Sequence, residues 1–326
     1  MSVPNEQRLD RIREEAAARG VVSGNGVDVA GGPIPRKVGY YGQPVVKPPV
    51  WTWEIPVYFF IGGLAGMSAV VAAGAAVFHQ HEIMRTAMRL AAAGAILSPI
   101  LLILDLGRPL LFINMLRVFK PQSAMSMGAW ILSFFGGCVF PGLIGLEVHH
   151  AHLLGSTLDE FVRIVAAAMI AGSAVFGMLL ATYTGVLIGA TAIPAWFLHR
   201  TLLPIHFGVA GLGSAAAALE LFGHHTAAIN ALGFFAAGIE TVLMIWLTAD
   251  RHGAADRACH HGFSGWLIRS GELLTGPIPL ISRGVGLIPV AAVSFLLGAL
   301  ISRFGWLAAG TASGCDPEAV FASQRM

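Results

Sequence analysis

Long stretches without a single Asp, Glu, Lys or Arg restrict most strongly how this chain folds. They cover residues 55–81, 90–104, 121–146, 164–199, 201–219, 221–239 and 284–302. A helix that crosses about 30 Å of hydrocarbon needs roughly 20 mostly apolar residues. Because 56% of the residues are hydrophobic and only 12% are charged, the composition excludes an ordinary water-soluble domain. We therefore predict an all-α, polytopic bundle of transmembrane helices.

The charge-free stretches predict seven spans. They are placed at residues 55–78, 86–107, 124–147, 161–188, 202–222, 226–249 and 281–302. The segment 264–275 is too short and too charged to cross alone, but it could lie in the interface or re-enter the membrane, so an eighth span stays open. The bundle is therefore expected to have seven or eight spans.

Three regions are expected along the chain. Residues 1–50 form an N-terminal arm, residues 51–310 the transmembrane domain, and residues 311–326 a C-terminal tail. The arm begins with mixed charges that suit a short solvated helix and continues with Gly, Pro and Val, which favour an extended segment. It either lies on a partner or forms a loose tail.

The basic residues are distributed unevenly between the two sides of the membrane. With seven spans, 15 of the 20 Lys and Arg residues fall on the side of the N-terminus. The positive-inside rule then places the N-terminus in the cytoplasm, as expected for a protein of a bacterial inner membrane. The first fifty residues lack an apolar h-region, so no cleavable signal peptide is predicted.

Polar residues at span ends provide the main functional clue. Alternate threading brings seven of them to the cytoplasmic end of the bundle: Glu54, Tyr58, Asp105, Arg108, Tyr183, His206 and Arg283. A quinone site needs groups that hydrogen-bond its carbonyls, a protonatable group and an apolar slot, and these side chains supply the first two. Alternatively, Asp105 and Arg108 simply neutralise each other on one helix face.

Glu240 lies near the middle of the sixth predicted span, where an uncompensated charge costs at least about 2.5 kcal/mol. It could relay protons, together with Asp105. The alternative is a neutral carboxylic acid that is hydrogen-bonded to a neighbouring helix.

No metal or haem centre is predicted. The cysteines show no C-x-x-C spacing, so an iron–sulfur cluster is expected in another chain. Only His206 lies well inside a span, whereas a two-haem bundle needs paired histidines. Seven further histidines fall at loops or helix ends on the opposite side, where exposure to solvent is more common than metal binding: His79, His81, His149, His150, His152, His224 and His225.

The string LDLGRPLLFINMLRVFKPQSAMSMGAW at 104–130 resembles the NrfD/PsrC family of polysulfide-reductase-type membrane subunits. Further similarity is found in WTWEIPVYFFIGGLAG at 51–66, YTGVLIGATAIPAW at 183–196 and LLTGP at 273–277. The resemblance covers nearly everything after residue 50.

This resemblance implies paired helical bundles and a pocket for menaquinone or ubiquinone near the membrane surface. It also implies docking onto a ferredoxin-like iron–sulfur subunit, beside a molybdopterin or other catalytic subunit. No nucleic-acid partner is expected. Tyr183 resembles the family's quinone-bonding tyrosine, and Asp105 and Arg108 stand in its D-x-G-R-P motif. The helix-one contact would be Glu54, where family members also have Asn or His.

The expected function is therefore exchange of electrons and protons between a docked iron–sulfur subunit and membrane quinone. Two other functions stay open. One is a secondary transporter or proton pump, in which Glu240, Asp105 and Arg283 line the pathway. The other is a passive membrane anchor without a quinone site.

Overall fold

A computed structural model of the chain describes residues 45–47, 50–105, 109–151, 153, 155–249 and 253–325. Within these ranges the chain forms helices and no strand. The α-helices, in chain order, are α1 (Glu54–Val77), α2 (His81–Asp105), α3 (Ala124–His150), α4 (Ser156–Gly189), α5 (Pro194–Leu198), α6 (Leu202–Leu221), α7 (Ala227–Ala249), α8 (Arg257–His260), α9 (Gly262–Thr275), α10 (Pro277–Gly284), α11 (Ile288–Gly314) and α12 (Pro317–Ser323). A 3-10 helix, Pro109–Leu116, lies between α2 and α3.

Seven of the described helices are long and apolar enough to cross a membrane: α1, α2, α3, α4, α6, α7 and α11. The prediction of a polytopic all-α bundle is thereby confirmed. We call the membrane face at which α1 begins, at Glu54, the first face, and the face at which it ends, at Val77, the second face. Successive spans alternate in direction, so α2, α4 and α7 end at the first face.

Helices α9 and α10 together form a broken helix that runs antiparallel to α11. Ile268 packs against Gly305, Gly271 against Ser302, and Leu274 against Gly298. From residue 262 to residue 284 the pair covers about 34 Å at 1.5 Å per residue, which is enough to cross the hydrocarbon. The segment 264–275 thus belongs to an eighth crossing, which a break at Gly276 and Pro277 divides.

The predicted last span, 281–302, is wrong in its boundaries. The chain turns at Gly286, where φ is 81°, and α11 begins at Ile288 with a proline in its first turn. The helix continues past the buried Arg303 to Gly314, because this guanidinium is accommodated inside the bundle and does not mark a span end. The predicted tail, 311–326, accordingly contains the end of α11 and the helix α12. The predicted arm, 1–50, falls mostly outside the described residues.

Within the described residues, the seven long helices and the α9–α10 pair form two groups of four. The first bundle contains α1 to α4, and the second contains α6, α7, the α9–α10 pair and α11. Helix α1 joins the bundles because it packs on α2 and α4 in its own group and on α6 and α11 in the other. The site residues on α1 therefore lie close to both bundles.

Glycines bring the backbones of α1, α4 and α6 into direct contact. A Cβ atom on Gly66 of α1 would overlap the carbonyl group of Gly177 on α4, and the reverse also holds. On the next face of α1, a Cβ on Gly211 of α6 would lie 2.8 Å from the carbonyl oxygen of Gly63. Small residues permit this approach, which drives helix association in lipid through van der Waals contact.

We expect Gly66→Ala to destabilise the protein, because the added methyl group overlaps backbone atoms that cannot rotate away. Overpacking of this kind costs roughly 1–3 kcal/mol. Gly74→Ala is the matched control, because a Cβ at this position of the same helix meets nothing within 4 Å. Thermal midpoints measured in mild detergent should fall for Gly66→Ala only, and equal midpoints would contradict the close packing.

Candidate functional site

Two tyrosines lie buried at the centre of the first bundle. Tyr58 of α1 is 2% exposed and Tyr183 of α4 is 8% exposed, and the two side chains are close enough to interact electrostatically. Tyr183 lies against Gly128 of α3, where a Cβ atom would overlap its ring and hydroxyl group. The ring of Tyr58 and the Ser98 hydroxyl of α2 flank Gly62. Four helices thus contribute to this cluster, which we call the tyrosine site.

A cavity of about 510 Å³ adjoins the tyrosine site between α2 and α3. Its walls are apolar and include both helix-interior prolines, Pro99 and Pro141. Prolines inside helices remove a backbone hydrogen bond and bend the helix, which here leaves space between neighbours. Leu132, one turn from the Gly128 that contacts Tyr183, also lines the cavity, which is open to the outer surface of the bundle.

Glu54 and Asp105 meet at the first face. The Thr52 hydroxyl lies within hydrogen-bonding distance of both carboxylates, at 3.1 Å from Asp105 Oδ1. A second cavity, of about 270 Å³, lies between this start of α1 and the last turns of α11, with Trp51 and Leu307 among its walls. Arg108, the expected partner of Asp105, lies outside the described residues.

His206 lies at the centre of a buried polar network in the second bundle. Its Nδ1 atom is 2.8 Å from Glu240 Oε2 on α7, and its Nε2 atom is 2.8 Å from Ser302 Oγ on α11. All three side chains are at most 3% exposed. Such a bridge between helices offers one continuous route for a proton between a carboxyl group, an imidazole and a hydroxyl group.

Further charged groups surround this network. The Arg303 guanidinium lies 3.7 Å from the centre of the Phe207 ring and donates to the Phe207 carbonyl at 3.2 Å. Arg303 and Glu272 both interact electrostatically with Glu240. Among the described residues, Glu240 Oε1 and the Nε and Nη1 atoms of Arg303 have no hydrogen-bond partner. The network therefore retains capacity for water or for a polar ligand.

Aromatic rings connect the two buried clusters. Tyr58 and Phe59 lie 5.6 Å apart, Phe59 and Phe207 6.0 Å apart, and Phe207 and His206 5.7 Å apart, measured between ring centroids. These spacings are typical of packed aromatic pairs. The tyrosine site and the His206 network are thus neighbours across the contact between α1 and α6.

The predicted convergence of seven polar residues at one end is correct only in part. Arg283 lies near the second face, at the end of α10, because the α9–α10 pair crosses the membrane. Its guanidinium pairs with Glu220 at the end of α6, with Nη2 2.8 Å from Oε2, and donates to Asn230 Oδ1 at 2.9 Å. This buried ion pair lies apart from the His206 network.

The histidines near the second face also have separate surroundings. His149 lies 2.8 Å from Asp159, His150 2.9 Å from Arg85 and His224 2.8 Å from Thr86. His79 and His81 are exposed, and His152 lies outside the described residues. The described members of this set do not converge on one point.

Several site residues were missed by the sequence analysis. Glu220, Glu272 and Arg303 are charged residues at or within apolar segments. The free-energy cost of placing a charge in the membrane is a signal by which they could have been found. The partners of Arg303 and Arg283 lie 96 and 63 positions away in the chain, so spacing could not reveal them. His199, Asp256 and Cys259 also form a buried cluster at the first face, from two separate loops.

Comparison with known proteins gives one family. The model described as polysulphide reductase, NrfD, matches residues 43–313, which include every span and both buried clusters. No curated protein gives a significant match.

Glu220→Leu should strongly destabilise the protein, because it leaves the Arg283 guanidinium buried without a counterion. Removal of one partner of a buried ion pair typically costs about 3–5 kcal/mol. The double variant Glu220→Leu/Arg283→Met should recover most of the lost stability, since it removes both charges. Thermal midpoints in detergent measure both effects.

The control is Glu160→Gln, which removes one partner of the exposed pair with Arg163 and should leave the midpoint nearly unchanged. A small effect of Glu220→Leu, equal to that of the control, would show that this pair is not buried.

Proposed function

This chain belongs to the NrfD family of polysulphide reductases, and we propose that it exchanges electrons and protons between a docked iron–sulfur subunit and membrane quinone. It is then the membrane subunit of a respiratory redox complex. The observation that carries the proposal is the pair of buried tyrosines inside a membrane bundle, with an apolar groove between α2 and α3 nearby.

The tyrosine site suits a quinone headgroup. A quinone presents two carbonyl acceptors on a flat apolar ring, and the hydroxyl groups of Tyr58, Tyr183 and Ser98 are the donors in this part of the first bundle. Menaquinone and ubiquinone both carry an isoprenoid tail, for which the 510 Å³ cavity between α2 and α3 is an apolar slot. Ligand sites commonly combine such apolar walls with a few polar groups.

Quinone reduction also takes up two protons, and two sets of side chains are placed to deliver them. Glu54 and Asp105 lie at the first face, where they exchange protons with water. His206 and Glu240 lie deeper, across the aromatic contact from Tyr58. In this proposal the carboxylates at the first face supply protons to the quinone headgroup, and the His206 network holds protons near it.

The partner subunits would supply the electrons. The first face carries the long connection between α2 and α3 and most of the basic residues, including Arg117, Lys120, Arg200 and Arg257. A ferredoxin-like iron–sulfur subunit, itself bound to a molybdopterin or other catalytic subunit, docks there in our proposal. The positive charge also favours a cytoplasmic location of this face in a bacterial inner membrane.

Tyr183→Phe should lower quinone-linked turnover about tenfold or more, which corresponds to the loss of one hydrogen bond of about 1.4 kcal/mol in the transition state. The assay is reduction or oxidation of a quinone analogue by the complex purified in mild detergent. Thr182→Val is the matched control, because the neighbouring Thr182 hydroxyl donates to carbonyls of its own helix, those of Met178 and Leu179.

Both variants should retain the partner subunits. Normal turnover in Tyr183→Phe would favour a passive anchor. A chain that purifies without redox partners and without quinone-linked turnover would favour a transporter.

Glu240→Gln should slow turnover while assembly is preserved, because the amide still hydrogen-bonds His206 but cannot take up or release a proton. General acid–base groups contribute typically 10²–10⁴-fold, so a loss of at least about tenfold is expected. Glu160→Gln, an exposed carboxylate on α4, serves as the control. Unchanged turnover and unchanged pH dependence in Glu240→Gln would assign Glu240 a structural role only.

A further inference from the structure

Two loops meet in a buried cluster at the first face, away from the tyrosine site. His199 directly follows α5, and Asp256 directly precedes α8, on which Cys259 and His260 lie. His199 Nε2 is 2.9 Å from Asp256 Oδ1, and His260 Nε2 is 2.7 Å from Asp256 Oδ2. His199, Asp256 and Cys259 are at most 2% exposed.

The donor atoms of this cluster converge on one point. The imidazole nitrogen of His199, a carboxylate oxygen of Asp256 and the sulfur of Cys259 all lie within 4.8 Å of one another. Ligands of a tetrahedral zinc ion, at about 2.0–2.3 Å from the metal, lie roughly 3.3–3.8 Å apart. The 2.9 Å between His199 and Asp256 is shorter than this range and no separation exceeds 4.8 Å, so modest side-chain shifts would let the three groups surround an ion.

The chemistry of the donors favours one class of metal. Imidazole, carboxylate and thiolate together form a mixed N, O, S set, which suits the borderline-soft Zn²⁺ ion and not Mg²⁺ or Ca²⁺. A neutral imidazole, one carboxylate and one thiolate balance the charge of a divalent cation. This neutrality is important at a site that is nearly free of solvent, where an unbalanced charge is costly.

A purely hydrogen-bonded cluster is the alternative. The two imidazoles each contact one oxygen of Asp256, and the Cys259 sulfur is buried within reach of the same carboxylate. A cysteine sulfur at this point is a strong zinc ligand once it is deprotonated, and metal analysis distinguishes the two arrangements.

We propose that His199, Asp256 and Cys259 bind one Zn²⁺ ion at the first face, with His260 holding the second oxygen of Asp256. The ion joins the loop between α4 and α6 to the loop between α7 and α9. Because both loops lie at the first-face end of the second bundle, the ion stabilises that end. The sequence analysis predicted no metal site here, and His199 lies 57 and 60 positions from Asp256 and Cys259.

The test begins with metal analysis of the full chain, purified with its partners in detergent without chelators. Elemental analysis should find about one zinc per chain beyond the metal content of the partners. The variants Cys259→Ser and Asp256→Asn should lose most of this zinc, whereas Cys315→Ser, at the end of α11, should keep it.

A second measurement does not depend on the folding of variants. Exchange of zinc for Co²⁺ in the wild-type protein should produce a near-ultraviolet thiolate-to-cobalt absorption, which Cys259→Ser abolishes. Absence of zinc together with absence of this absorption in the wild type would overturn the proposal. Unchanged zinc content in the Cys259→Ser/Asp256→Asn double variant would overturn it as well. Neither readout requires quinone activity, so the zinc site is tested independently of the proposed function.

Discussion

Direct backbone contact between α1 and its neighbours is the interaction on which the rest of the structure depends. Inside a membrane, helices gain nothing from leaving water, so close van der Waals contact must hold them together. Gly63 and Gly66 place two faces of α1 against Gly211 and Gly177. This arrangement brings Tyr58 next to Tyr183 on one side and Phe59 next to Phe207 on the other. Both buried clusters are therefore organised by the packing of a single helix.

Two arginines buried in the second bundle each contact a group from another helix. Arg283 is paired with Glu220, and Arg303 packs on Phe207. Such pairs stabilise less than apolar packing of equal volume would, because desolvation of the charges offsets most of their attraction. The stability of the second bundle alone therefore does not account for these buried groups.

The sequence predicts the helical class, most span positions and the location of Tyr183 and His206 inside the bundles, because lengths of apolar runs and the cost of buried polar groups are local properties. The prediction fails where a segment crosses the membrane only together with a second segment and packed against a distant helix. Residues 264–275 alone are too short to cross a membrane. Neither their continuation after Gly276 nor Gly298 and Gly305, against which they pack, can be recognised from the neighbouring sequence. The placement of Arg283 at the wrong face follows from this one error. Contacts such as His199 with Asp256 join two loops 57 positions apart, so no spacing rule predicts them.

The depth of Glu240 has an electrostatic consequence. This carboxyl group lies near the middle of α7, roughly halfway between the two faces. A full crossing of one elementary charge through 100 mV corresponds to about 2.3 kcal/mol. A charge that moves between Glu240 and either face would therefore cross part of the membrane's electric field, and its movement would depend on the membrane potential.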